Sequence, residues 1–203
     1  MTANPEDCPN EPETVVIGFE AGGPVSLDGE RMPLLDLIIK ANEIAGRNGY
    51  GRLDMIEDRV VGIKSRECYE CPAALLLIEA HSALERLCLD AETIKQKAKL
   101  DTEWASTVYR GLWYSQNRCA IDAYNAYTQK FVTGEARFKL CKGGIFLDGV
   151  RSDYALYDYN LATYDEGDTF DQSYSEGFIV LHGMQSKTWS RVQGPGSGLQ
   201  QVQ

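Results

Sequence analysis

The spacing of apolar positions changes repeatedly along this chain, and each change marks an element. In TVVIGFE, Val15, Ile17 and Phe19 alternate with other residues, which predicts a strand, and the AGGP turn followed by VSLDGE predicts its hairpin partner. From Pro33, suited to a first helical turn, the period lengthens to that of a helix. Leu34, Leu37, Ile38, Ala41 and Ala45 form one face, and Gly46 stands where a helix ends. After the glycine-rich RNGYGR, the segment LDMIEDRVVGIKSRECYE reads as strand pieces interrupted by Glu57, Asp58 and Arg59. Charges placed there, off any alternating outer face, suggest a site or a turn.

Three helices follow in succession. PAALLLIEAHSALERLCL is apolar nearly all round from Ala73 to Ile78, so its first turns should be buried, and it becomes amphipathic through Ala80, Leu84 and Leu87. His81, at the edge of that stripe, is expected to be a hydrogen-bonded structural residue. Leu100, Trp104, Val108 and Leu112 define a second apolar stripe and Ala120, Tyr124, Tyr127 and Phe131 a third, both read as core. GEARFKLCKGGIFLDGV is the plainest hairpin: Ala136, Phe138 and Leu140 alternate, Gly143-Gly144 turns, and Ile145 to Leu147 return. The tyrosine-rich stretch from Ser152 to Gly183 predicts two short helices around an acidic loop, and QGPGSGLQQVQ is polar without a core face. The predicted fold is α+β, a mixed sheet with hairpins packed against a run of three central helices.

Composition narrows the function classes. A chain of 203 residues with 43% apolar content and no internal repeat fits one globular unit with a full core. Its net charge of −10, from 20 basic and 30 acidic residues, comes without a Lys/Arg cluster, which argues against nucleic acid and anionic membrane as partners. MTANPEDCPNEPET carries acid and proline where a signal peptide needs basic charge and then an apolar core. A cytoplasmic protein with reduced thiols is expected.

The Cys68-x-x-Cys71 pair opens two chemical readings. A helix N-terminus behind it would favour a thiolate, as in a dithiol redox site, although no βαβ pattern surrounds it. A zinc site would need a second pair, and Cys8, Cys88, Cys119 and Cys141 are isolated. No Walker A loop, G-x-G-x-x-G or H-E-x-x-H occurs, and DEGDTFD fits no calcium-loop frame, so no metal site is expected in this chain.

The segment GRLDMIEDRVVGIKSRECYECPAALLLIEAHSALERLCLD resembles the central part of the argininosuccinate synthase family. Members run Gly-Arg-hydrophobic-Asp, then Glu-Asn-Arg, then Gly-hydrophobic-Lys-Ser-Arg-Gly-x-Tyr-Glu-Thr-Pro. YRGLWYS, TGEARFKLCKGG and the stretch from Ser152 to Ile179 continue the likeness in order, so it covers about Pro5 to Gly183. It implies the fold of that family's C-terminal domain. It also implies that Glu57 and Tyr69 bind citrulline, with Arg59, Lys64, Ser65 and Arg66 as the supporting loop and the catalytic residues outside this chain. The chemistry agrees: a carboxylate pairs with citrulline's α-ammonium, and a phenol exchanges hydrogen bonds with its ureido group. Three positions depart from the pattern. Asp58 replaces Asn and Glu67 replaces Gly, each adding negative charge beside the site, and Glu67 would be strained if the backbone there had a positive φ. Cys71 replaces Thr and should cap the following helix less well.

For the whole enzyme the resemblance implies an ATP-dependent ligase. Citrulline's ureido oxygen attacks the α-phosphate of ATP, pyrophosphate leaves with the help of Mg2+, and the amine of aspartate displaces AMP to give argininosuccinate. The family's Ser-Gly-Gly-x-Asp-Thr-Ser phosphate loop does not occur in this sequence, so ATP, Mg2+ and aspartate are expected on a preceding domain, and the isolated chain is expected to be inactive. Residues 1–11 then read as a linker from the preceding domain, residues 12–185 as the citrulline-side and oligomerisation domain, and residues 186–203 as a flexible tail. The family is tetrameric, but SRVQGPGSGLQQVQ departs from its longer helical arm. Two further readings remain: a non-catalytic oligomerisation or regulatory remnant, and a dithiol module using Cys68 and Cys71.

Overall fold

Val15, Ile17 and Phe19 are buried together because β1 (Glu13–Glu20) runs through the middle of a five-stranded sheet, with its alternating face turned to the core. The computed structural model describes residues 1–162 and 171–195. β1 pairs on one side with β2 (Gly23–Leu27), which pairs with the short β3 (Glu30–Arg31). On its other side lies β6 (Gly134–Cys141), followed by β7 (Gly144–Arg151). Each pairing is antiparallel, so within the expected α+β class the sheet is not mixed. The reason lies in the connections: β2 and β7 return by tight turns, and the mainly helical stretch between β3 and β6 brings the chain back beside β1 in the antiparallel sense. Lys142 and Gly143, both at positive φ (47° and 84°), make the β6–β7 turn one residue earlier than the double glycine suggests.

One face of this sheet is covered by α1 (Leu34–Arg47) and α2 (Pro72–Cys88). Leu37, Ala41, Ile44 and Ala45 of α1 and Ala73, Leu76, Ala80 and Leu84 of α2 meet Val15, Ile17, Ala136, Phe138 and Leu140 in one core. Ile78, expected inside, is exposed, because the sheet and α1 together surround only part of α2. His81 is structural, as expected: its Nε2 lies 2.7 Å from Gln129 Oε1 in the turn of 3-10 helix Gln129–Phe131.

The helical hairpin α3 (Ala91–Tyr109) and α4 (Gln116–Thr128) follows. Asp90 caps α3 by accepting from the Glu92 and Thr93 N–H groups, and Ser115 caps α4 by accepting from Arg118 N–H. Their expected stripes are shifted. On α4 Ile121 and Thr128 are buried, while Ala120 and Tyr127, and Phe131 in the turn after the helix, are exposed; the aromatic rings pack edge to face, Tyr127 on Phe131 and Phe131 on Tyr154, with centroids 6.3 and 5.9 Å apart. Leu112 is exposed because Gly111, at φ 75°, has already ended α3. Instead Lys97 of α3 is buried, bonded to Asp101 at 2.6 Å and reaching Glu85 of α2 at 3.2 Å.

The chain divides into two compact units, Met1–Tyr157, described so far, and Asp158–Gln203. In the second, α5 (Tyr159–Ala162) is short, but α6 (Tyr174–Val192) is a 19-residue helix where a short one was expected. Its continuation to Val192 shows that the tail sequence up to that point is helix-compatible; the acidic loop expected between the two helices lies outside the described residues.

Candidate functional site

Between α1 and α2 the chain makes a separate two-stranded sheet, β4 (Arg52–Asp58) with β5 (Lys64–Glu70). Its root is fixed by backbone. Gly51 adopts φ 119°, and a Cβ there would come 2.3 Å from Pro72 Cα, so glycine is what allows the strand to start against the helix. Cys71 N–H donates to Gly51 O at 2.8 Å and closes the root. At the tip, Arg59 N–H donates to Ile63 O at 2.9 Å and Gly62 N–H to Arg59 O at 2.8 Å.

Register decides which side chains meet. Leu53 faces Tyr69, Met55 faces Glu67, and Glu57 faces Ser65, which puts those six residues on one side of the hairpin. Asp54, Ile56, Asp58, Lys64, Arg66 and Cys68 lie on the other. Tyr69 leans along the hairpin, and its O–H donates to Glu57 Oε2 at 3.1 Å. Arg59 folds back onto the same side, its Nη2 donating to Glu67 Oε1 at 2.7 Å and its Nε to Ser65 Oγ at 3.1 Å. The resulting cleft, about 550 Å³ and open to solvent, is lined by Glu57, Arg59, Glu67, Tyr69, the tip residues Val60 and Val61, and Tyr109 from the end of α3.

Of the residues read from the sequence, then, Glu57, Tyr69, Arg59 and Ser65 come together. Lys64 and Arg66 do not: they brace the reverse side, Lys64 Nζ on Asp58 Oδ1 at 2.7 Å and Arg66 in a two-pronged bond to Asp54. Both departures from the family pattern that add negative charge are thereby paired, Asp58 with Lys64 and Glu67 with Arg59. Glu67 is an ordinary strand residue rather than one at positive φ, so the expected strain does not arise. Tyr109 was missed because the neighbouring stripe residues Val108 and Leu112 draw attention to the core; the Tyr-x-Gly helix ending was the available signal.

The electrostatics follow from these bonds. Donation to Glu57, with a smaller contribution from burial, raises the Tyr69 phenol above its ordinary value, so it stays protonated. The Arg59 guanidinium holds the Glu67 carboxyl below the usual range, with help from Ser65, and Glu67 in turn raises Arg59. Arg59 and Glu67 thus neutralise each other, which leaves the Glu57 carboxylate as the cleft's acceptor for a cation, while the Tyr69 oxygen keeps a lone pair beside it.

Cys68 is exposed on the reverse side of β5, and Cys71 is the N-cap of α2; both are free thiols, and Cys71 makes no side-chain capping bond. Among the described residues no group of three or more His, Cys, Asp or Glu side chains is arranged to hold a metal ion, and no helix is long and apolar enough to cross a membrane.

Fold and cleft together define an α+β domain that carries an open cleft on a two-stranded arm. The chain belongs to the Arginosuccinate synthase C-terminal domain family, which it matches over residues 1–189. It is 53% identical over 192 residues to the argininosuccinate synthase of Pelodictyon phaeoclathratiforme, an alignment covering 95% of this chain and 48% of that protein. The argininosuccinate synthases of Rubrobacter xylanophilus (50% over 192 residues, 95% of this chain and 47% of theirs) and Pyrococcus furiosus (53% over 185 residues, 91% and 45%) are similarly close. The chain spans a little under half the length of these relatives.

Proposed function

We propose that this chain supplies the citrulline side of an ATP-dependent ligase that joins citrulline and aspartate to argininosuccinate. The observation that carries the reading is the Glu57–Tyr69 hydrogen bond inside an open cleft, in a chain that matches its family nearly end to end. Glu57 would accept the α-ammonium of citrulline, a charge-assisted bond. Because the Tyr69 proton is committed to Glu57, Tyr69 would hold that carboxylate in position and accept one N–H of the ligand on its remaining lone pair. Arg59, tied to Glu67 and Ser65, keeps the tip turn folded over the cleft.

The described residues do not fit a nucleotide–magnesium site. They include no phosphate loop and, among those described, no acidic cluster of the kind a cation needs. ATP, Mg2+ and aspartate are assigned to the half of the ligase that this chain does not span. The same reading expects the protein in the cytoplasm, to which six free cysteines are suited.

Homo-oligomerisation is the second part of the proposal. Phe178, Ile179, Val180, Leu181, Met184 and Trp189 of α6 are all exposed, an apolar surface of the kind that marks an interface. Two measurements test the reading. Placed behind the N-terminal half of the Pelodictyon relative, this chain should give argininosuccinate and AMP from citrulline, aspartate and ATP, and no turnover from a folded fusion would count against it. Light scattering should show an oligomer that Leu181→Glu disperses; a monomer in both would remove the assembly role.

A further inference from the structure

The cleft has one wall that neither strand supplies. Tyr109 is the last residue of α3, and the turn behind it is fixed: Arg110 N–H donates to Ser106 O at 3.1 Å, Gly111 N–H to Val108 O at 2.9 Å and Leu112 N–H to Thr107 O at 3.0 Å. From this anchored position Tyr109 lines the cleft together with Glu57 and Tyr69, and its O–H donates to the Asp58 carbonyl at 3.3 Å. The β4–β5 hairpin needs such a support. A lone two-stranded hairpin is marginal in water, and Ile56, Val60, Val61 and Ile63 near its far end are exposed. Its root is held at both strands, Cys71 N–H to Gly51 O and Arg52 to the carbonyls of Thr2 and Ala3 at 2.9 Å. Among the described residues, the Tyr109 bond is the hydrogen bond that ties the far half to the helices, and it lands one residue from Glu57.

We propose that Tyr109 is a positioning residue of the cleft: its hydroxyl holds the far end of the hairpin against α3 and so fixes where Glu57 stands relative to the helical wall. The part that concerns citrulline rests on the proposed function; the part that concerns the hairpin does not.

Hydrogen exchange on the full chain tests the hairpin directly, with no substrate present. The Arg59 and Gly62 amides, bonded within the tip turn, report on it, and the amides of β1 and β6 serve as reference. Tyr109→Phe should speed exchange at the tip by roughly three- to tenfold, the factor one net hydrogen bond corresponds to, and leave the reference amides unchanged. Tyr109→Leu, which also removes the ring, should have a larger effect confined to the same amides. Unchanged tip amides in both variants, or equal acceleration throughout, would overturn the proposal. In the fusion, Tyr109→Phe should raise the citrulline KM several-fold and keep kcat within about twofold. An effect of Glu57→Gln on citrulline without one of Tyr109→Phe would end the positioning role and leave the ligase reading standing. Tip amides that respond while neither variant alters citrulline kinetics would do the reverse.

Discussion

The N-terminus of α2, which follows directly on the Tyr69 strand, is capped from another helix. Pro72 at N1 has no N–H, and the Ala73 N–H is satisfied by Asn42 Oδ1 of α1 at 2.9 Å, while the capping residue Cys71 makes no side-chain bond. Asn42→Ala should therefore behave like the loss of an N-cap. Ala73 is 2% exposed, so water cannot readily replace the lost acceptor, and the cost should be about 1–2 kcal/mol. For a chain of this length that is a fall of roughly 2–8 °C in Tm. Cys71→Thr, by contrast, should gain little. With Ala73 already paired, only the N–H of Ala74 is left for a new hydroxyl, and the backbone at position 71 (φ −139°, ψ 60°) is not that of a standard cap. About 0.5 kcal/mol or less is expected. In the Asn42→Ala background the Thr hydroxyl acquires a free partner, so its gain should rise to about 1 kcal/mol, and the two changes should couple. Urea denaturation followed by circular dichroism on the four proteins measures all three quantities. Asn42→Ala within about 0.3 kcal/mol of the parent, or Cys71→Thr stabilising by more than about 1.5 kcal/mol on its own, would refute the capping assignment.

Other perturbations test other parts of the structure. Gly51→Ala must fit a Cβ against Pro72 at φ 119° and should cost about 3 kcal/mol or prevent folding, read by the same denaturation. Lys97 is pulled down by burial but pushed further up by Asp101 and Glu85, for a net raised pKa; its stabilisation should be complete below the unfolded lysine value of about 10.4 and fade as pH climbs through the higher folded one. The stability gap between parent and Lys97→Met should accordingly narrow in that alkaline window, and a constant gap would contradict the pairing. Glu57→Gln should let the Tyr69 phenol ionise at lower pH, seen as an earlier ultraviolet step that is missing in Tyr69→Phe.

The sheet strands were readable from the chain because the core enforces a strict period of two: Val15, Ile17, Phe19, Ala136, Phe138 and Leu140 are all buried as the alternation requires. Helix positions were readable, but helix facing was less so. On α4 the large aromatics suggested one face, whereas Ile121 and Thr128 occupy the interior and the rings pack on one another at the surface, because only one side of that helix meets α3. The buried Lys97 was invisible for the same reason, since its burial depends on two acids brought from α2 and from one turn ahead. At the cleft, the likeness to a known family pointed to Glu57, Tyr69 and Arg59, but strand register separates them from Lys64 and Arg66, and register is set by the length of the tip turn rather than by residue type.

The role of the cleft is decided by steady-state kinetics with citrulline, aspartate and ATP varied in turn, using this chain joined to a nucleotide-binding half. Loss of one charge-assisted hydrogen bond is worth roughly 1.5–3 kcal/mol, so Glu57→Gln should weaken the use of citrulline by about ten- to 150-fold. Tyr69→Phe, which frees Glu57 and removes the phenol's lone pair, should act on the same substrate. In both variants the parameters for ATP and aspartate should stay near those of the parent. Unchanged citrulline parameters, or equal losses for all three substrates together with a lowered Tm, would mean that Glu57 and Tyr69 only hold the hairpin together.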